Sequence, residues 1–309
     1  LYTARLSINS IYNCKDSTEK LFNIFPKPNA NFTLNENNQC LNSNSLIINN
    51  NSNINSGFIA HKWYFGNGDS SDLVNPIYNY SDTGSYHIQL ILTSDKNCYD
   101  SLTDTVNIFE NPKANFISKN LESCFNIQDF EFIDSSFISK GNYTRTWIIS
   151  ENSNYSDSII NPSFTNSGIK TVKLIVNSNS NCNDSFEINI EVNPKPNPQF
   201  NINDSDQCLA GNLFEFSSNN SIDYGNYSIH WNFGDASSDT QENSIHSYQR
   251  PDTFLVNLTL ISNKSCIDSF SKNIIVFPMP ISDFSVNNDS QCLRNNLFEF
   301  QNSSNIPSG

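Results

Sequence analysis

Long apolar runs, basic charge and methionine are what this chain has least of. No stretch approaches the roughly 18 consecutive apolar residues of a membrane-crossing helix, so none is expected. Lys and Arg number 17 against 31 Asp and Glu, a formal charge of −14. That balance argues against nucleic acid or an anionic membrane as partner, because both demand a basic surface. Met occurs once, Gly (10) and Pro (12) are sparse in 309 residues, and helix formers such as Ala, Leu, Glu and Lys are scarce. Catalytic signatures are missing too: there is no nucleophile elbow, no phosphate-binding loop and no H-E-x-x-H. Zinc needs Cys/His pairs two to four residues apart, and the chain has none. The four histidines, His61, His87, His230 and His246, are scattered. No enzymatic activity and no cofactor are therefore expected.

What is present is Phe (23), Tyr (12) and β-branched residues set between Asn/Ser clusters, with 37% hydrophobic content overall. That is too apolar for disorder, and it points to an all-β protein. Eight cysteines organise it: positions 14, 40, 98, 124, 182, 208, 266 and 292, spaced alternately 26 and 58 apart. Each kind thus recurs every 84 residues. Trp63, Trp147 and Trp231 keep the same step, as do Pro28, Pro112, Pro196 and Pro280, and Phe32, Phe116, Phe200 and Phe284. Independent markers sharing one period define a tandem array. With boundaries at the Pro-bearing joints, complete repeats span 28–111, 112–195 and 196–279. Residues 1–27 hold the tail of a repeat and 280–309 the head of another, and the natural chain is expected to continue in both directions. The N-terminus "LYTARLSINS" has neither the charged nor the apolar region of a signal peptide.

Within a repeat, "ANFTL" and "SLIIN" read as short strands. The second and its counterparts "DFEFI", "LFEFS" and "LFEFQ" place Leu46, Phe130, Phe214 and Phe298 on one face with Ile48, Phe132, Phe216 and Phe300. "HKWYF" is a further strand carrying the central Trp. "SYHIQLILTS" alternates Tyr86, Ile88, Leu90 and Leu92, turns at "SDKN", and returns as "YDSLTDTVNIF" with Leu102, Val106 and Ile108. About seven strands around one Trp suggest a two-sheet sandwich, stabilised by burial of Trp63, Trp147, Trp231 and the Phe/Tyr rings.

The stretch "WYFGNGDSS…NPIYNYSDTGSYHIQLILTS" (63–94) resembles the PKD (polycystic kidney disease) domain, whose hallmark runs W-x-F-G-D-G, P-x-H-x-Y, G-x-Y-x-V-x-L. "WNFGDASSD" (231–239) with "HSYQRPDTFLVNLTL" (246–260) is similar. "WIISENSNYSD" (147–157) departs by losing the glycine turn, and Phe164 stands where the others carry Tyr80 and Tyr248. The resemblance implies immunoglobulin-like sandwiches stacked head to tail, and a spacer or adhesion role outside the cell. The "QC" and "NC" placements resemble PKD arrays of Bacteroidota surface proteins, including gliding and adhesion proteins exported by the type IX system. His246 occupies the His of P-x-H-x-Y, which implies a structural role. The glycine turn fails in one repeat, so it reads as the end of a strand, with calcium as the other reading at Asp69 and Asp72, or Asp235 and Asp239.

An array of regularly spaced cysteines outside the cell is expected to be oxidised. If the sandwich starts at its top, Cys40 between the first two strands lies at the bottom, and Cys98 beyond the final hairpin turn lies at the top. Strands of eight to ten residues would part them by roughly 25–30 Å, whereas a disulfide tolerates Cα atoms only about 4.4–6.8 Å apart. Head-to-tail stacking instead pairs Cys40 with Cys182 and Cys124 with Cys266, leaving Cys14, Cys98, Cys208 and Cys292 to partners outside the segment. The alternative is pairing within repeats: Cys40–Cys98, Cys124–Cys182 and Cys208–Cys266. After four of the cysteines runs x-D-S. It reads either as a polar turn or, by the Bacteroidota resemblance, as an O-glycosylation signal at Ser17, Ser101, Ser185 and Ser269, with Thr105 ("DTV") and Ser158 ("DSI") as further sites of the same kind.

Two functions remain. One is a non-catalytic stalk or filament of stacked repeats, partnered by its own neighbouring repeats and by lateral or end-to-end copies of itself. The other is a set of polysaccharide-binding modules, for which Tyr64, Tyr143 and Tyr227 are candidate surface aromatics.

Overall fold

A computed structural model describes residues 1–150 and 153–307. It is built of strands, in three sandwiches that follow one another along the chain with a hairpin before them and a strand pair after. In the first sandwich the strands Phe32–Leu34, Leu46–Asn50 and Ile77–Tyr78 form one sheet. The other sheet has five strands, in the order Asn38–Cys40, Tyr99–Phe109, Gly84–Ser94, Ile59–Tyr64 and Ser70–Ser71. The second and third sandwiches repeat this three-plus-five arrangement.

Eight strands therefore stand where the sequence suggested about seven. Part of the difference lies in the opening segment, which crosses between sheets; the two-residue strand Ser70–Ser71 is the other addition. Phe32–Leu34 pairs antiparallel with Leu46–Asn50, and then Asn38–Cys40 pairs parallel with the end of the last strand, Cys40 beside Phe109. The cysteine expected in a loop is thus the last residue of a short edge strand.

Each core forms as the period-two alternation dictates. Leu46 and Ile48, Phe130 and Phe132, and Phe214 and Phe216 are buried, whereas Phe298 and Phe300 are exposed at the terminal strand pair's second strand and just before it. Trp63, Trp147 and Trp231 are fully buried. The indole of each donates to a carbonyl ten residues on, at 2.9 Å: Leu73, Asp157 and Gln241. Phe32, Phe116 and Phe200 meet these indoles edge-on at 5.0–5.1 Å. Ile88, Leu90, Leu92, Val106 and Ile108 are buried, but Leu102 is 36% exposed: Asn38–Cys40 pairs only with Asn107–Phe109, so at Leu102 its strand is the edge of the sheet.

The residue at position 80 shows why repeats differ. Tyr80 and Tyr248 donate their hydroxyls to the carbonyls of Phe65 and Phe233 at 2.8 and 2.7 Å. Burial pushes both phenols far above their ordinary range. Phe164 fills the same place in the second repeat without that bond, so there the core keeps the ring and forgoes the tie.

Candidate functional site: the joints between repeats

The turn that presents the second cysteine of each repeat is set by local chemistry. Ser94 donates its backbone N–H to the Cys98 carbonyl, and its hydroxyl oxygen accepts from the N–H of Cys98 at 3.0 Å. Asn97 adopts φ 61°, a left-handed conformation that Asn tolerates better than most residues. Ser178/Asn181 and Ser262/Ser265 build the same turn before Cys182 and Cys266. Each turn is the apex of the long hairpin and faces the preceding repeat.

There the structure joins Cys40 to Cys182 and Cys124 to Cys266, each with Cα atoms 5.5 Å apart across 142 residues of sequence. Cys182 and Cys266 are buried. Pairing within a repeat does not occur. Cys40 lies beside Phe109, the far end of an 11-residue strand that begins just after Cys98. At about 3.3 Å per residue those two cysteines are separated by about 36 Å. Cys124 and Cys182, and Cys208 and Cys266, are held apart by the same register. Cys14, Cys98, Cys208 and Cys292 are unbonded.

In the three complete repeats the aspartate of C-x-D-S secures the linker entering its own repeat. Asp100 accepts from the Ala30 N–H at 2.8 Å and pairs with Lys27 at 2.6 Å, and these two interactions, the backbone bond first, lower its pKa. In the second repeat Asn111 replaces the lysine, and Asp184 accepts from the Ala114 N–H at 2.9 Å. In the third, Pro198 offers no N–H, and Asp268 pairs with Lys195 at 2.8 Å. The aspartate is constant and its partners alternate. Ser17, Ser101, Ser158, Ser185 and Ser269 are exposed, while Thr105 is half-buried with its hydroxyl 3.0 Å from His87 Nδ1.

Around the two staples the joints differ. Between the second and third repeats, Lys264 bridges Glu122 at 2.9 Å and Glu191 at 3.2 Å. The Lys264 bond, with a second from Asn193, holds the Glu122 carboxyl below its ordinary pKa, and the two carboxylates raise that of Lys264. Tyr224 donates to the Val192 carbonyl at 3.2 Å, and Ser167 to Asp223 at 2.8 Å. Between the first and second repeats the corresponding residues are Ser180, Asn38, Asn107 and Lys140, so neither the ionic clamp nor the tyrosine exists. That joint is tied instead by Asn111, whose side chain accepts from the Asn42 N–H at 2.9 Å and donates to the Asn183 carbonyl at 3.2 Å. Ser139 donates across it to Glu110.

The glycine turns close on themselves. In the first repeat Asn67 donates to the Tyr78 hydroxyl at 2.7 Å, Tyr78 bonds Asp69, and its ring stacks on Phe65 at 4.1 Å. In the third, His246 Nε2 lies 2.8 Å from Asp235 and the imidazole stacks on Phe233 at 4.3 Å. Burial pushes the Asp235 pKa up, but hydrogen bonds from Ser237 and His246 outweigh it and leave it lowered. Asp72 pairs with Lys62, and Asp239 accepts from Ser244 and the Thr240 N–H. All four calcium candidates thus already engage protein donors. Among the described residues no group of three or more His, Cys, Asp or Glu is placed to hold a metal ion. The tyrosines considered for polysaccharide form no row. Tyr143 and Tyr227 are equivalent and pack against their cores, whereas Tyr64 corresponds to Ile148 and Asn232.

Sandwiches with this connectivity, repeated in tandem, define the class: an array of immunoglobulin-like modules. The PKD domain model matches residues 26–109 and 195–276, which together make up more than half of the chain. The chain belongs to the PKD domain family. The middle repeat, which lost the glycine turn, lies between the matched stretches. Among solved structures, the PKD1 domain of the Vibrio cholerae metalloprotease PrtV is 32% identical over 28% of this chain and 98% of its own, with a TM-score of 0.24. The PKD1 domain of Vibrio anguillarum Epp is 31% identical over 26% and 93%, also at 0.24. The eight N-terminal immunoglobulin domains of Down Syndrome Cell Adhesion Molecule match 93% of this chain and 41% of their own at 11% identity, with a TM-score of 0.41. No curated protein matches.

Proposed function

We propose that this chain is a load-bearing stretch of an extracellular stalk in a large surface protein, adhesive or gliding, of the kind Bacteroidota export. The observation that carries the proposal is the pair of disulfides, each tying one repeat to its neighbour rather than closing a repeat on itself. A disulfide inside a module stabilises the module. One across a joint fixes the spacing and orientation of modules, a property a spacer needs and an isolated binding domain does not. Membership in the PKD family, whose sandwiches are typically non-catalytic, and a disulfide-permissive compartment agree with a place outside the cell.

Small-angle scattering of the chain before and after reduction tests it. The oxidised chain is expected to fit a single conformation, and reduction to broaden the distribution of maximum dimensions. A broad distribution in the oxidised state would overturn the stalk reading.

A further inference from the structure

The two stapled joints are built on one pattern, so each serves as a control for the other. At the second joint Tyr224 lies over the strand start at Gly168 and bonds the Val192 carbonyl. Ser167 and Asp223 close one side of that joint and Lys264 with its two glutamates another. At the first joint the equivalents of Tyr224 and Lys264 are Lys140 and Ser180. There Ser139 bonds Glu110 across the joint, but nothing fills the place of Tyr224 and Lys264: a cleft of about 510 Å³ lies between the repeats, with Gly84 and Ile108, the equivalents of Gly168 and Val192, in its wall. That volume falls within the roughly 300–1,000 Å³ of small-molecule sites, and such sites favour boundaries between domains.

We propose that the first joint is a binding site for a neutral oligosaccharide, a function beyond that of a spacer. Apolar surface from Leu41 and Phe109 lines one part of the cleft and suits the C–H face of a pyranose. Around it stand Asp82 and Glu110 as acceptors, Lys140 as a donor, and the Asn179 amide, which offers both. Sugar hydroxyls, each donor and acceptor, match that mixture. The two carboxylates oppose an acidic glycan, and they outnumber the single lysine in the wall. Both walls are held in place by the Cys40–Cys182 staple, so the site is organised before the ligand arrives and loses little to ordering.

The test transplants the closed joint into the open one. The chain is titrated with hexasaccharides of β-1,4-glucose, β-1,3-glucose, β-1,4-xylose and β-1,4-N-acetylglucosamine, followed by amide chemical shifts. Saturable shifts at Phe109, Asn179 and their neighbours are expected with at least one of them. The double variant Lys140→Tyr/Ser180→Lys carries residues that the second joint already accommodates, and it should bind at least tenfold more weakly. The exposed variant Asp82→Asn leaves the joint unfilled and should weaken binding without altering the disulfide pattern. Absence of shifts with all four sugars would overturn the proposal. So would binding that survives both variants, or shifts that map away from the cleft.

Discussion

Stretching the chain from its ends, with and without reductant, gives a magnitude that follows from the connectivity. Consider the 226 residues between positions 40 and 266. With both disulfides intact, the covalent path runs from Cys40 across to Cys182, back along the 58 residues to Cys124, and across to Cys266. At an extended length of about 3.5 Å per residue, that path reaches about 200 Å however completely the repeats unfold. With both disulfides reduced, the full 226 residues bear the load and reach about 790 Å. Optical-tweezer extension of one molecule should therefore gain about 590 Å on addition of a phosphine reductant. If the unreduced chain already extended to its full contour, or if reductant left the limit unchanged, the staples would not be in the load path and the stalk account would fail.

Three further outcomes follow from the same structure. Replacing Cys40 and Cys182 together by serine removes a cross-link spanning 142 residues. The chain-entropy model assigns such a loop about 5 kcal/mol, and engineered cases deliver about 2–4, so urea unfolding of the first two repeats should shift by that order; a change under about 1 kcal/mol would contradict it. Tyr80→Phe leaves the buried Phe65 carbonyl without its partner and should cost the first repeat about 1–3 kcal/mol. Removing the Tyr248 hydroxyl should do the same in the third repeat. The ionic clamp at the second joint sets a pH window. Glu122, held below its ordinary 4.5, contributes above that value and is lost as pH falls through its lowered pKa. Lys264, raised above 10.5, contributes below that value and is lost as pH rises through its raised pKa. Amide shifts of Glu122 and Asp223 should hence stay constant across neutral pH and move at both extremes, and in a Tyr224→Phe background, which removes the phenol that also titrates at alkaline pH, Lys264→Gln should abolish the alkaline movement.

Much of this architecture was legible because a tandem array writes its fold several times. The 84-residue period, the buried tryptophans and the alternation in Ile88–Leu92 are local or repeated signals. Asn38–Cys40 was not legible as a strand: three residues show no alternation, and their partner lies about seventy positions later. Leu102 reads as core by alternation, yet it is 36% exposed because its neighbouring strand reaches only Asn107–Phe109 and leaves it at the sheet edge, a fact that alternation within one strand does not carry. The x-D-S aspartate shows a different limit. Its role depends on residues 27 and 30 and their counterparts, where Lys with Ala, Asn with Ala, and Lys with Pro replace one another. Aligning the repeats would have exposed that exchange, as it would Lys140 against Tyr224. The Lys264–Glu122 pair, 142 residues apart, carries no local signal, and only the stacking direction makes it contact.

Proteolytic peptide mapping of the unreduced protein by mass spectrometry identifies which cysteines are bonded, on which every property of the joints depends. Cross-linked peptides containing Cys40 with Cys182 and Cys124 with Cys266 are expected. Peptides joining Cys40 to Cys98 and Cys124 to Cys182 would contradict this pairing, leaving the repeats as separate beads with unlocked joints.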